Sequence, residues 1–277
     1  MQSDVPDRYS PPPPWSWMTL PAPHHRVYRD DGFWRDKTIG DSARDWAMKE
    51  PDAQAFLGGT IPHTYQSLVA DAEALAIGLL DLGLRPGEVI SLQTPNWHEA
   101  GIINLAAALV GLVINPIGMI YRDAEVHQML ADSGSRLLFL TENFRGYDYA
   151  GMVGRIRGNL AGLRHVVFVR GNNAHPLSYE MLVTAGRGRT LNVRRVDADN
   201  VKLLLYTSGT TGRPKGVLHS HNTLTRVSEV SVCHWGIAAG DVLLMPSPVT
   251  HISGYSFGLE LPFLVGTRTV LMESWNA

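Results

Sequence analysis

Residues 203–221 read LLLYTSGTTGRPKGVLHSH. An apolar run gives way to Thr207, Ser208, Gly209, Thr210, Thr211 and Gly212, and then to Pro214, Lys215 and Gly216. Adjacent glycines let backbone N–H groups converge on an anion without Cβ interference. The four hydroxyls add donors, and Lys215 adds a positive point charge. Each hydrogen bond to a charged oxygen contributes roughly 1.5–3 kcal/mol, so the stretch has the chemistry of a phosphate cradle. It is not a Walker loop, because Pro214 stands where that motif needs its second glycine. It lacks the Gly-x-Gly-x-x-Gly spacing of a dinucleotide fingerprint as well.

Such a loop needs a strand behind it. From about Thr38 the sequence alternates amphipathic helices with short apolar strands. Helices are expected over Ile39–Lys49, from an N-cap at Thr64 to Leu82, near His98–Val110, and over Ala124–Ala131 with Asp123 as cap. Strands are expected at Ala53–Leu57, Val89–Gln93, Leu112–Asn115, Leu137–Leu140, Val166–Val169, Leu203–Tyr206, Val242–Met245 and Thr269–Met272. This pattern predicts an α/β fold of layered, mostly parallel sheets flanked by helices. Ligands of such sheets bind beyond the carboxyl ends of strands, which is where residues 207–216 fall.

Composition narrows the class. The chain has 277 residues, 44% hydrophobic and 18% charged, which is globular. A net charge of −2 argues against a nucleic-acid partner. The single cysteine, Cys233, has no partner for an internal disulfide, and the N-terminus lacks a signal-like apolar region, so a cytoplasmic setting is expected. Cys233 itself reads as buried filler on a helix. Residues 101–121 carry no charge, yet Asn104, Asn115 and Pro116 suit a buried helix and strand better than a membrane span. Residues 10–23 are proline-rich and read as an extended lead-in.

Two further patterns compete. Gly254-Tyr255-Ser256-Phe257-Gly258 matches the hydrolase nucleophile elbow. That fold needs an Asp or Glu and then a His after the serine, and beyond Gly258 only Glu260 and Glu273 occur. His219 and His221 form a His-x-His pair that strand alternation would place on one face, but no further ligands stand at metal-binding spacing.

Tyr206 to Gly216 resembles the signature loop of the adenylate-forming enzymes, which include acyl-CoA synthetases, luciferases and peptide-synthetase adenylation domains. The likeness extends over residues 64–99 and 111–140. The segment MPSPVTHISGYSFGLELPFLVGTRTVLMESW, residues 245–275, resembles the second core motif, Pro-x-x-His-x-x-Gly. Its Pro-Val-Thr-His form is similar to that of cyclohexanecarboxylate–CoA ligases. The resemblance implies an AMP-forming ligase that activates a fatty, alicyclic or aromatic acid with ATP and passes the acyl group to coenzyme A. It implies that Thr207, Ser208, Gly209, Thr210, Thr211, Gly212 and Lys215 hold the departing phosphates, that Mg2+ shields them, and that His251 sits beside the reacting carboxylate. It implies no resident protein metal site within this stretch. Residues 1–37 are expected to form the lead-in and 38–277 a partial AMP-binding domain. Within it, a first unit spans about 61–225 and a second begins at 226–277, with 38–60 as a candidate to join the second. The family's later magnesium, ribose and C-terminal lysine motifs do not occur before Ala277, so the chain is expected to be an N-terminal part, inactive alone. The alternative is a short, non-catalytic product that binds nucleotide or a partner.

Overall fold

The computed structural model describes residues 22–57, 62–171, 175–207 and 214–273. Helix α1 (Ala22–Asp30) falls inside the stretch expected to be extended. Helix α2 (Ile39–Lys49) starts at Thr38, whose hydroxyl accepts from the Asp41 N–H while the Asp41 carboxylate accepts from the Thr38 N–H. This reciprocal cap satisfies two otherwise orphaned donors. Strands β1 (Gln54–Leu57) and β2 (His63–Thr64) lead into α3 (Tyr65–Asp81), capped by Thr64. The alternation continues through β3 (Val89–Gln93), α4 (His98–Leu109), β4 (Val113–Pro116), α5 (Asp123–Ser133) and β5 (Leu137–Thr141). A small hairpin of β6 (Asn143–Phe144) and β7 (Tyr147–Asp148) precedes α6 (Tyr149–Ile156), β8 (His165–Val169) and α7 (Tyr179–Gly186). Then come β9 (Val201–Thr207), β10 (Lys215–Ser220), α8 (His221–Trp235) and β11 (Val242–Met245). A π-helical segment, Gly254–Glu260, runs into α9 (Leu261–Val265), and β12 (Arg268–Leu271) follows.

The strands make two main sheets. The larger has the order β10-β9-β4-β3-β5-β8, parallel throughout except for β10. The smaller has the order β11-β12-β1-β2, with β11, β12 and β1 parallel. Strand residues alternate between two cores. On β5, Leu137 and Phe139 join the core that also holds Phe56, Leu75 and Ile103. Leu138 and Leu140 join Met129 and Met152 on the other face. The first core contains residues from both sheets and from α2, α3 and α4, so these helices form a shared middle layer. The contact is close: a Cβ on Gly101 of α4 would meet the Phe56 ring of β1 at 2.4 Å. The second face of the larger sheet is covered by α5 and α6.

Three local expectations differ from the structure, and a fourth pattern can be settled. Arg122, not Asp123, is the capping position of α5; Asp123 is its first residue, where the carboxylate meets the positive helix end and pairs with Arg155 at 2.8 Å. Strand β10 stops at Ser220, which caps α8, so His219 and His221 belong to different elements and share no strand face. Cys233 lies on α8 as expected but is exposed. The Gly-x-Ser-x-Gly segment is π-helical with Ser256 buried, which is not the strand–turn–helix of a nucleophile elbow. Residues 101–121 form α4, a turn and β4, largely buried, and no helix among the described residues is long and apolar enough to cross a membrane.

Candidate active site

A cleft of about 650 Å3 opens where the carboxyl ends of strands from both sheets meet. Its walls come from the residues that follow β3, β4, β11 and β12, from the end of β9, and from the β6–β7 turn. Thr207 lines it on one side and Thr250, His251 and Ile252 on the other. In open parallel sheets this is the expected place for a ligand.

The cradle's two ends are described, whereas Ser208, Gly209, Thr210, Thr211 and Gly212 lie outside the described residues. Thr207 and Lys215 face each other across the antiparallel β9–β10 ladder, and the Thr207 hydroxyl lies 3.5 Å from the Lys215 carbonyl. Both side chains are exposed. The β9–β10 ladder is antiparallel and runs from this pair to Val201 and Ser220. Tyr206 ties the end of β9 to α5. Its hydroxyl donates to Asp132 Oδ2 of α5 at 2.6 Å, and burial together with that carboxylate pushes the phenol well above its ordinary pKa. It remains a neutral donor, with its ring in the cleft wall.

His251 sits on the loop after β11, exposed to the cleft. The Ser253 N–H points at its Nδ1 at 3.4 Å, and the Ser253 hydroxyl lies 3.0 Å from the same nitrogen. Because a backbone N–H can only donate, a neutral His251 carries its proton on Nε2. That N–H suits a carboxylate or phosphate oxygen. The loop is held by Asn96, just past β3: its Oδ1 accepts from the Val249 N–H at 2.8 Å and its Nδ2 donates to the Ser247 carbonyl at 2.9 Å. The Tyr255 N–H donates to the His251 carbonyl at 2.8 Å, tying the loop to the π-helix.

Arg145 and Glu273 are the charged residues of the described wall. Arg145 holds a left-handed φ of +49° and lies 5.5 Å from the Phe144 ring centroid. Among the described residues no three His, Cys, Asp or Glu side chains converge on a metal position. His219 is half-buried and shifted down by burial, while His221 is buried and neutral, accepting from the Ile39 N–H at 3.4 Å. Neither lines the cleft.

The structure places Thr207 and His251 on the wall of one cleft, together with Asn96 and Tyr206, which the sequence analysis did not single out as site residues. A polar Thr-Pro-Asn directly after the apolar β3 was the available signal for Asn96.

Residues 43–277 match a protein-family model described as AMP-binding enzyme. The chain is 28% identical over 259 residues to the medium-chain fatty-acid–CoA ligase of Escherichia coli (strain K12), covering 92% of this chain and 46% of that protein. It is 29% identical over 262 residues to the salicyl-AMP ligase / salicyl-S-ArCP synthetase of Mycobacterium tuberculosis (strain ATCC 25618 / H37Rv), covering 92% and 45%. Among solved structures it is similar to apo MbtA of Mycobacterium smegmatis, with a TM-score of 0.82 and 27% identity, covering 92% of this chain and 47% of that one. The chain thus spans about half the length of the curated relatives it matches.

Proposed function

The chain belongs to the AMP-binding enzyme family, and from that premise we propose that it supplies the phosphate-gripping and acyl-side part of an AMP-forming acid–CoA ligase. The observation that carries the proposal is the shared cleft: Thr207, at the root of the glycine-and-hydroxyl loop, and His251 line one cavity at the strand ends.

In the proposed first step a carboxylate oxygen forms a bond to the α-phosphorus of ATP, and the bond from that phosphorus to the β-phosphate oxygen breaks. Pyrophosphate leaves and an acyl-adenylate remains. Little covalent work falls to the protein in such a step, so positioning and charge neutralisation dominate. Residues Thr207, Ser208, Gly209, Thr210, Thr211, Gly212 and Lys215 are assigned the β- and γ-phosphates. Mg2+ enters with the nucleotide as part of the substrate. His251, with Nε2–H available, is assigned the reacting carboxylate or the developing adenylate oxygens. In the second step the thiol sulfur of coenzyme A bonds to the acyl carbon, the bond to AMP breaks, and the thiol proton is released.

The named relatives act on a medium-chain fatty acid and on salicylate, so a carboxylic acid with an apolar body is the proposed substrate class. We divide the fold into a unit at about 61–225 and a second at 226–277 with 38–60, because β1 pairs with β12. The test is ATP–pyrophosphate exchange. A protein that carries this chain together with the rest of a ligase fold should exchange only when a carboxylic acid is present, and the 277-residue chain alone should not. Robust exchange by the 277-residue chain would refute the need for further sequence. ATP binding by the 277-residue chain, with no exchange even when the rest of a ligase fold is joined to it, would favour the non-catalytic alternative.

A further inference from the structure

Strand β9 reads VKLLLYT, and its lysine is an anomaly among buried apolar residues. The Lys202 side chain is 2% exposed, and its ammonium lies 2.6 Å from Oε1 of Glu260, which is 1% exposed. Asn104 Nδ2 donates to the same oxygen at 2.6 Å. The Asn104 carbonyl oxygen accepts from the Tyr255 hydroxyl. The ammonium also lies 5.3 Å from the Tyr255 ring centroid. Four side chains from three elements form one closed polar chain inside the shared core.

Burial alone does not explain it. Desolvating two charges costs several kcal/mol per ion, and packed apolar residues of similar volume are often as stable or more so. Burial pulls Lys202 below its ordinary pKa, and Glu260 opposes that shift. What such a pair supplies is register, since only one placement of the partner elements satisfies both charges and the amide between them. The elements in question are the two that carry the candidate site. Strand β9 runs five residues from Lys202 to Thr207. The π-helix bearing Tyr255 and Glu260 starts three residues after His251 and donates to its carbonyl. Asn104, on α4, spans the space between them.

We propose that Lys202 and Glu260 are positioning residues that set the His251 loop against the end of β9 at Thr207, with Asn104 and Tyr255 as the link. The kinetic part rests on the proposed ligase function, whereas the geometric part does not.

Two arms test this in a protein that carries this chain together with the rest of the ligase fold. The double variant Lys202→Met/Glu260→Leu removes both charges at similar volume. It should melt at or above the wild-type temperature, yet its kcat for carboxylate-dependent exchange should fall roughly 10–100-fold, with the KM for ATP changed less than about twofold. A stable double variant with wild-type kcat overturns the proposal. The second arm needs no turnover. In a Cys233→Ser background, spin labels at Val217→Cys on β10 and Val242→Cys on β11, both exposed in the wild type, report the separation of the two sheets. A single narrow distance is expected with the pair present and a shifted or broadened one without it; an unchanged distribution overturns the proposal. Should the double variant not fold, Tyr255→Phe deletes one hydroxyl and no ring volume, and is read by the same two criteria. If the wild type shows no exchange, the ligase reading fails while the distance arm still decides the positioning.

Discussion

Asn96 and Val249 join the two sheets across the mouth of the cleft: the Asn96 carbonyl oxygen accepts the Val249 N–H at 2.8 Å, with both residues buried. Truncation to Ala leaves that N–H and the Ser247 carbonyl without their partner. Each buried unpaired group costs about 1–3 kcal/mol. Asn96→Ala should therefore lose about 2–6 kcal/mol in urea unfolding, and it should lower exchange more than this loss of folded protein explains. An undiminished midpoint would show that the link is not formed.

Lys215 is exposed, and its backbone pairs with Thr207 across the β9–β10 ladder. If it meets phosphate, Lys215→Ala should slow exchange by roughly 10²-fold while moving stability by no more than about 0.5 kcal/mol. Equal exchange rates for the variant and the wild type would remove Lys215 from the site.

Gly254 has no room for a side chain. A Cβ there would meet the Pro248 carbonyl oxygen at 2.1 Å. Gly254→Ala should push the His251 loop outward and cost about 1–3 kcal/mol. Thermal melting checks the cost, and a neutral substitution would mean the loop is not packed on the π-helix.

Acid should weaken the fold through buried histidines. Burial holds His221 neutral far below its ordinary pKa, with Lys202 adding to the effect, and burial with His63 and Arg170 lowers His98 to about 3. The unfolded chain protonates both near pH 6.5, so the stability present above that pH declines as pH falls toward the folded values. Each contributes a slope of about 1.4 kcal/mol per pH unit. Denaturant midpoints measured between pH 7 and 5 should fall accordingly, and His221→Gln should remove one histidine's share. A flat profile would place both rings in water.

How much of this was legible differs by scale. Ile39–Lys49, Val89–Gln93 and Val242–Met245 appear at the bounds expected, because periodicity and caps agree there. Thr64 caps its helix as a Thr before an apolar face should. The cradle and His251 were legible as motifs. The buried Lys202–Glu260 pair was not, since its partners are 58 positions apart and only the tertiary fold joins them. The lysine inside an apolar strand was nevertheless a visible signal, because an unpaired charge is not stable there. Cys233 was misjudged for a related reason: burial on one side of α8 depends on what the rest of the fold lays against it.

Strand β1 has a consequence for synthesis. Phe56 leaves the ribosome early, yet its neighbour in the ladder, Thr269, is made more than 200 residues later. At about 5–20 residues per second the nascent strand waits roughly 10–40 s for that neighbour. During that wait Ala55 and Phe56, both buried in the finished molecule, lack the strand that will flank them, which makes this segment a natural client for a chaperone.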